Sequence, residues 1–246
     1  MCRHLAYLGE PQSIGELLVD PPYGLYRQSW APREQRYGTV NADGFGIGWY
    51  ADGDPVPARY RRAGPIWADA SFADLARVVR ARALLAAVRS ATEGCAAGES
   101  AAAPYGEGRW LFSHNGALPG WPEKAGPLAA LLPPAELLTL EARCDSALVW
   151  ALVLRRLRAG AEPGEALAGT VAEVAAEADG RLNLLLTDGE SIAATAHGDT
   201  LYHRSRPGQA VVVASEPSDD GTGWARVPDG SLLLATVGGV TVRPLG

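Results

Sequence analysis

The chain has 246 residues, 47% apolar and 20% charged, the composition of a globular protein long enough to bury a substantial core. Its net charge of -6 disfavours nucleic acid or an anionic membrane as a partner. The longest apolar run, Ala147 to Leu154, is far short of the roughly eighteen residues of a membrane span, and three widely spaced cysteines make no disulfide framework, so the cytoplasm is the expected compartment.

The chain opens Met1-Cys2-Arg3-His4, placing a thiol directly ahead of an alternating, strand-like run to Leu8. Arg3, His4 and Glu10 interrupt any signal-peptide stretch. Initiator methionine is normally trimmed before a small residue, and trimming would leave Cys2 with a free α-amine beside its thiol. Their ordinary pKa values, roughly 7.7–8.0 and 8.5, lie within about a unit, so the amine can serve as base for the adjacent nucleophile. Taken alone, Cys2 reads first as a buried structural cysteine at a strand start. Glu10 to Val40 reads as irregular and rich in Pro, Gly and Arg; Tyr23, Tyr26 and Trp30 make it a candidate lid.

Asn41 to Tyr50 carries glycines at 44, 46 and 48, which suggests a phosphate-binding loop. Such a loop must open a helix, and here the chain runs into the turn Asp52-Gly53-Asp54-Pro55. The stretch is better read as a strand with a small-residue face that something can approach closely. Ser71 to Arg82 reads as a helix capped by Ser71, with Phe72, Leu75, Ala76 and Val79 on one face. Ala83 to Val88 is a strand that delivers Arg89-Ser90-Ala91-Thr92 at its end. Trp110-Leu111-Phe112 is another strand, ending in Ser113-His114-Asn115-Gly116, after a Gly/Ala loop over 93–108. Trp121 to Pro134 is irregular. Asp145 opens a helix over 146–158 that is apolar nearly all round and therefore buried, and a second helix covers 163–179. Short strands follow at 182–187, 191–196, 201–204, 210–214, 232–235 and 240–242. The order predicts one domain over residues 1–246, with helices packed outside two sheets.

Cys2, Arg89 with Thr92, Asn115-Gly116 and Asp145 form the set that a γ-glutamyl amide needs. Its α-carboxylate suits a bidentate arginine, and its α-ammonium suits a carboxylate kept ionised at a helix start. Its δ-carbonyl needs a nucleophile and donors for the oxyanion, such as an Asn side chain and a Gly N–H. Each residue also has an ordinary reading: Arg89 as a surface charge, Asp145 as a helix cap, Asn115-Gly116 as a hairpin turn.

Cys2, the Asp-Gly-x-Gly strand at 43–46, Arg-x-Ala-Thr at 89–92, His-Asn-Gly at 114–116 and Asp145-Ser146 together resemble the class II glutamine amidotransferases, which are N-terminal-nucleophile hydrolases. The resemblance implies an α+β fold, a four-layer αββα sandwich. It implies Cys2 as nucleophile, Asn115 and Gly116 as oxyanion hole, Arg89 and Thr92 at the α-carboxylate, with Ser90 and His114 beside them, and Asp145 at the α-amine. It implies no cofactor and no metal. Glu93 and Ala103 stand where the wider family usually has histidines. Within the family, the opening Met-Cys-Arg-His-Leu, residues 28–33, 39–46 and Ala214-Ser215-Glu216-Pro217 are most similar to the hydrolases of ergothioneine biosynthesis, which release glutamate from γ-glutamyl-hercynylcysteine sulfoxide.

That resemblance implies a leaving group with a trimethylammonium, for which Trp30, Tyr26, Glu216, Asp219, Asp220 and Trp224 are the candidate contacts. Two other readings use the same pocket: a glutaminase subunit feeding ammonia to a separate synthetase, and a catalytically silent binder of glutamine-like ligands. A metal site built on His197 and His203 with His4 or His114 lacks the compact spacing of zinc motifs.

Overall fold

Neighbouring residues of the first strand are buried on opposite sides: Leu5 and Tyr7 join one core cluster, Ala6 and Leu8 another. A strand covered on both faces reads as a near-continuous apolar run, and most of the central strands here do so. A computed structural model describes residues 2–246; the expected removal of Met1 lies outside them. The strands are β1 (Arg3–Ser13), β2 (Phe45–Trp49), β3 (Ala58–Arg62), β4 (Arg80–Val88), β5 (Tyr105–Glu107), β6 (Trp110–Ala117), β7 (Arg181–Thr187), β8 (Ile192–Ala196), β9 (Tyr202–Arg206), β10 (Ala210–Ala214), β11 (Trp224–Arg226), β12 (Ser231–Thr236) and β13 (Gly239–Pro244). The helices are α1 (Ile14–Leu18), α2 (Leu25–Gln28), α3 (Phe72–Val78), α4 (Gly126–Ala129), α5 (Pro134–Leu138), α6 (Asp145–Arg158) and α7 (Pro163–Glu177).

Two antiparallel sheets stack, one ordered β11-β9-β10-β1-β4-β2-β3 and the other β13-β12-β8-β7-β6-β5. Ala6, Leu8, Leu85, Leu111, Leu185, Val213 and Leu233 fill the space between them. Leu5, Tyr7, Phe45 and Leu84 face outward from the first sheet onto Ile14 and Leu17 of α1 and Phe72 of α3. Phe112, Leu184 and Leu186 face outward from the second onto Trp150 of α6 and Leu167 and Val171 of α7. The result is the expected α+β sandwich in four layers, αββα.

Several local expectations change. The first strand does not stop at Leu8, because Gln12 and Ser13 pair with Ala81 and Arg80 across a register shift. The stretch read as irregular holds α1 and α2, and α1 starts with a capping box: Glu16 N donates to Ser13 Oγ, and Ser13 N donates to the Glu16 carboxylate. Ser71 makes no side-chain cap on α3, which ends at Val78 because the chain then enters β4. The small-residue face of β2 is used within the fold: a Cβ at Gly46 would meet Ala103 O at 2.3 Å, and one at Gly48 would meet Leu111 Cδ1 at 2.6 Å. His114, Asn115 and Gly116 lie within β6 rather than past its end.

Candidate active site

Strand alternation aims the sequence-predicted residues at one end of the space between the sheets. On β1, Ala6 and Leu8 point inward, so His4 does too, and Cys2 continues the same face. On β6, Leu111 points inward and Phe112 outward, which turns Ser113 and Asn115 inward and His114 outward. The contacts agree: His4 Nδ1 lies 3.2 Å from Ser113 Oγ, across the sandwich. Arg89 follows β4 one residue past Val88, itself paired with Arg3, so the register carried one step further sets Arg89 beside Cys2. The Cys2 sulfur lies 3.9 Å from the carbonyl oxygen of Ser90.

Asn115 is fully buried, yet neither Oδ1 nor Nδ2 has a partner among the described residues. Buried amide groups are nearly always hydrogen-bonded, so both polar atoms of this side chain are open to a partner. Its cross-strand neighbour Asn183 is the opposite case. Asn183 Nδ2 donates to the carbonyls of Asp199 and Thr200, and its Oδ1 accepts from the His197 and Asp199 amides.

Asp145, the first residue of α6, is buried and crowded with donors. Thr92 Oγ1 and the Leu118 amide reach Oδ2 at 3.0 and 3.2 Å, and the Ser146 amide and the Cys95 thiol reach Oδ1 at 2.8 and 3.5 Å. Arg89 is held from behind: Nη1 donates to Asp43 O at 3.2 Å and Nη2 to Ala96 O at 3.0 Å. With one N–H of each spent on the loop carbonyls, the guanidinium keeps donors and a fixed direction for an anion.

His114 is not in the pocket; it pins α6 to the second sheet. Its Nε2 lies 2.8 Å from Arg181 O, a carbonyl that can only accept, and its Nδ1 lies 3.1 Å from the Ser146 hydroxyl. Gly116 makes that bond possible, because a Cβ there would sit 1.8 Å from Arg181 O and 2.4 Å from His114 Nε2. Packing alone therefore demands the glycine, and any part in chemistry falls to its N–H.

Sequence reasoning missed Arg3, although it adjoins Cys2. Its buried guanidinium donates from Nε to the Cys2 carbonyl at 3.1 Å and lies 3.7 Å from Glu216. Burial pulls its pKa down and the Glu216 charge pulls it back up. The expected leaving-group contacts are engaged elsewhere. Glu216 is 1% exposed, and its two oxygens accept the backbone N–H groups of Arg33 and Glu34, tying down the loop over 29–40. Trp30 packs edge-on against Tyr26 and Trp67, with Arg27 over its ring. Arg204 stands 4.6 Å from the Trp224 ring and binds Asp219, while Arg33 covers Tyr23 and binds Asp220. The protein's own cations, Arg33 from the loop and Arg204 from β9, thus lie on the acidic and aromatic groups.

The fold and these motifs have known counterparts. Residues 25–207 match the family described as glutamine amidotransferases class-II. Over its whole length the chain is 44% identical to the full-length γ-glutamyl-hercynylcysteine sulfoxide hydrolase of Mycolicibacterium smegmatis. It is 43% identical to the protein of that name from Mycobacterium tuberculosis, covering 97% of it. Among solved structures, a class-II glutamine aminotransferase domain protein from Silicibacter pomeroyi superposes over the whole of both chains with a TM-score of 0.72 at 23% identity. The glutamine phosphoribosylpyrophosphate amidotransferase of B. subtilis gives 0.64 at 17%, with the whole of this chain covering 49% of that one. This chain belongs to the class-II glutamine amidotransferase family.

Proposed function

We propose that this protein is an amidohydrolase that cleaves the γ-glutamyl amide bond of γ-glutamyl-hercynylcysteine sulfoxide, releasing glutamate and hercynylcysteine sulfoxide. The observation that carries the chemistry is the pair Cys2 and Asn115, a thiol and an unpartnered buried amide, each two residues along from the His4–Ser113 contact that joins the two sheets. The full-length identity to the two mycobacterial hydrolases carries the choice of substrate.

The Cys2 sulfur attacks the δ-carbonyl carbon as its proton passes to the α-amine freed by loss of Met1. The oxyanion is held by Asn115 Nδ2 and the Gly116 N–H, each such donor contributing about 2.7–4 kcal/mol in the transition state. Collapse breaks the C–N bond, and the α-ammonium returns the proton to the departing amine. Water then attacks the thioester and releases glutamate. Arg89, with Ser90 and Thr92 beside it, holds the α-carboxylate, and Asp145 the α-ammonium. Arg3 orients the nucleophile through the Cys2 carbonyl. His114 acts only by fixing α6. Trp30 and Glu216 serve by shaping the loop over 29–40 rather than by touching substrate.

The same reading takes residues 1–246 as one catalytic domain, at work in the cytoplasm on a small molecule, with neither nucleic acid nor membrane as partner. No helix among the described residues is long and apolar enough to cross a membrane. Competition between the sulfoxide substrate and glutamine tests the assignment. The sulfoxide substrate should dominate in kcat/KM; equal hydrolysis of glutamine would instead favour a glutaminase subunit.

A further inference from the structure

Two thiols that the mechanism does not use meet at the carboxylate of Asp145. Cys144 immediately precedes Asp145, and Cys95 reaches it from the turn that follows Arg89 and Thr92. The half-buried Cys95 sulfur lies 3.5 Å from Asp145 Oδ1, and the buried Cys144 sulfur lies 3.2 Å from the Tyr105 hydroxyl. The two thiols are close enough for each to shift the other's pKa.

The backbone holds them in register. Ala96 N donates to Arg143 O at 2.8 Å, the kind of bond that flanks a directly opposed pair in antiparallel chains. That bond sets Cys95 and Cys144 abreast of each other. Residues abreast in antiparallel chains have Cα atoms about 4.5–5.5 Å apart, within the roughly 4.4–6.8 Å that a disulfide spans. The thiols are also unequal. The neighbouring Cys95 thiol, helped by the Tyr105 hydroxyl, lowers Cys144 to about 7, while Cys144 and burial push Cys95 up. The inequality favours the thiolate on Cys144, the form that reacts with oxidants.

We propose that Cys95 and Cys144 form a reversible disulfide that makes the γ-glutamyl pocket sensitive to hydroperoxides. The consequence for the pocket rests on the roles given above to Arg89 and Asp145. The Cys144 thiolate attacks the peroxide oxygen, breaking the O–O bond and leaving a sulfenic acid and, after proton uptake, water. The Cys95 sulfur then displaces the sulfenic oxygen as a second water, so two thiols are oxidised as one peroxide is reduced. Closing the bond draws the sulfurs to about 2.05 Å from each other. It removes the Cys95 donor from Asp145 and shifts the turn that anchors both charged side chains. Cys95 N donates to Thr92 O, Thr92 Oγ1 donates to Asp145, and Ala96 O holds Arg89.

The chain has three cysteines, so in a Cys2→Ala protein the only intramolecular disulfide that can form joins 95 and 144. Treatment of that protein with one equivalent of hydrogen peroxide should remove about 2 Da from the intact mass, reversibly by dithiothreitol. Binding of L-glutamate, followed by calorimetry, should weaken about tenfold on oxidation and recover on reduction. Adding Cys144→Ala should abolish both responses. Absence of the mass loss overturns the proposal, and so does a disulfide that leaves glutamate binding unchanged. A reduced protein that fails to bind glutamate at all overturns the functional reading instead, and the mass loss then still decides whether the pair is a redox site.

Discussion

The His4 imidazole and the Ser113 hydroxyl, 3.2 Å apart, join the two sheets directly beneath Cys2 and Asn115. Burial, and then the charges of Arg3 and His114, lower the His4 pKa from 6.5 to about 3. The unfolded chain therefore binds a proton that the folded protein refuses, so His4 contributes stability fully above pH 6.5 and loses it as pH falls towards 3. Between pH 6.5 and 4.5 this amounts to about 2–3 kcal/mol. Denaturant unfolding at the two values should show it, and a His4→Gln variant should show a shallower dependence. An unchanged dependence in that variant would mean that His4 is not buried neutral.

Asn115 should separate activity from stability. Replacing it with alanine removes an oxyanion donor, for which the expected loss is about 10²–10³ in kcat. The same change removes two buried, unpartnered polar atoms, so the melting temperature should hold or rise. A variant that unfolds early while the remainder keeps full kcat would place Asn115 in the structure rather than the chemistry.

Arg89→Lys keeps the charge and loses the fork. A lysine cannot satisfy Asp43 O and Ala96 O and still present two parallel donors, so kcat/KM should fall by at least about tenfold, chiefly through KM. Asp145→Asn should weaken glutamate binding too. It also substitutes an amide donor for one of two oxygens that each already accept hydrogen bonds, at a stability loss of about 1–3 kcal/mol. Parent-like glutamate affinity in both variants would move the pocket elsewhere.

Much of this was legible in the sequence, where chemistry and local pattern coincide. Cys2, Arg89 and Thr92 sit beside strand ends, and Asp145 opens a helix whose apolar surround declares it buried. Helices packed outside two sheets follow from the order of the elements, and the four αββα layers from the family resemblance. What stayed hidden depends on partners remote in sequence. Glu216 looks like a loose acidic residue until the amides of Arg33 and Glu34, more than 180 positions away, are seen on its oxygens. Arg204 and Arg33 likewise occupy the aromatic and acidic groups that seemed open to a ligand. The capping box at Ser13 and Glu16 was readable but overlooked, because a helix of five residues shows no periodicity.

Glu216→Gln tests the coupling between the loop and the nucleophile. Glutamine keeps one acceptor for two backbone amides and removes the charge facing buried Arg3, so stability should drop by about 3 kcal/mol. Since Arg3 also holds the Cys2 carbonyl, kcat should fall together with protection of residues 29–40 from hydrogen exchange. A drop in kcat without a change in exchange would break that link.

The mechanism stands on Cys2 as the residue that carries the glutamyl group. Acid quench of the protein during turnover of γ-glutamyl-hercynylcysteine sulfoxide, followed by peptide mass analysis, reads this directly. The N-terminal peptide should begin at Cys2 and carry an added mass of about 129 Da, the glutamyl thioester, and Cys2→Ala should show neither adduct nor turnover. Full turnover by protein that retains Met1, or an adduct on any other residue, would contradict it.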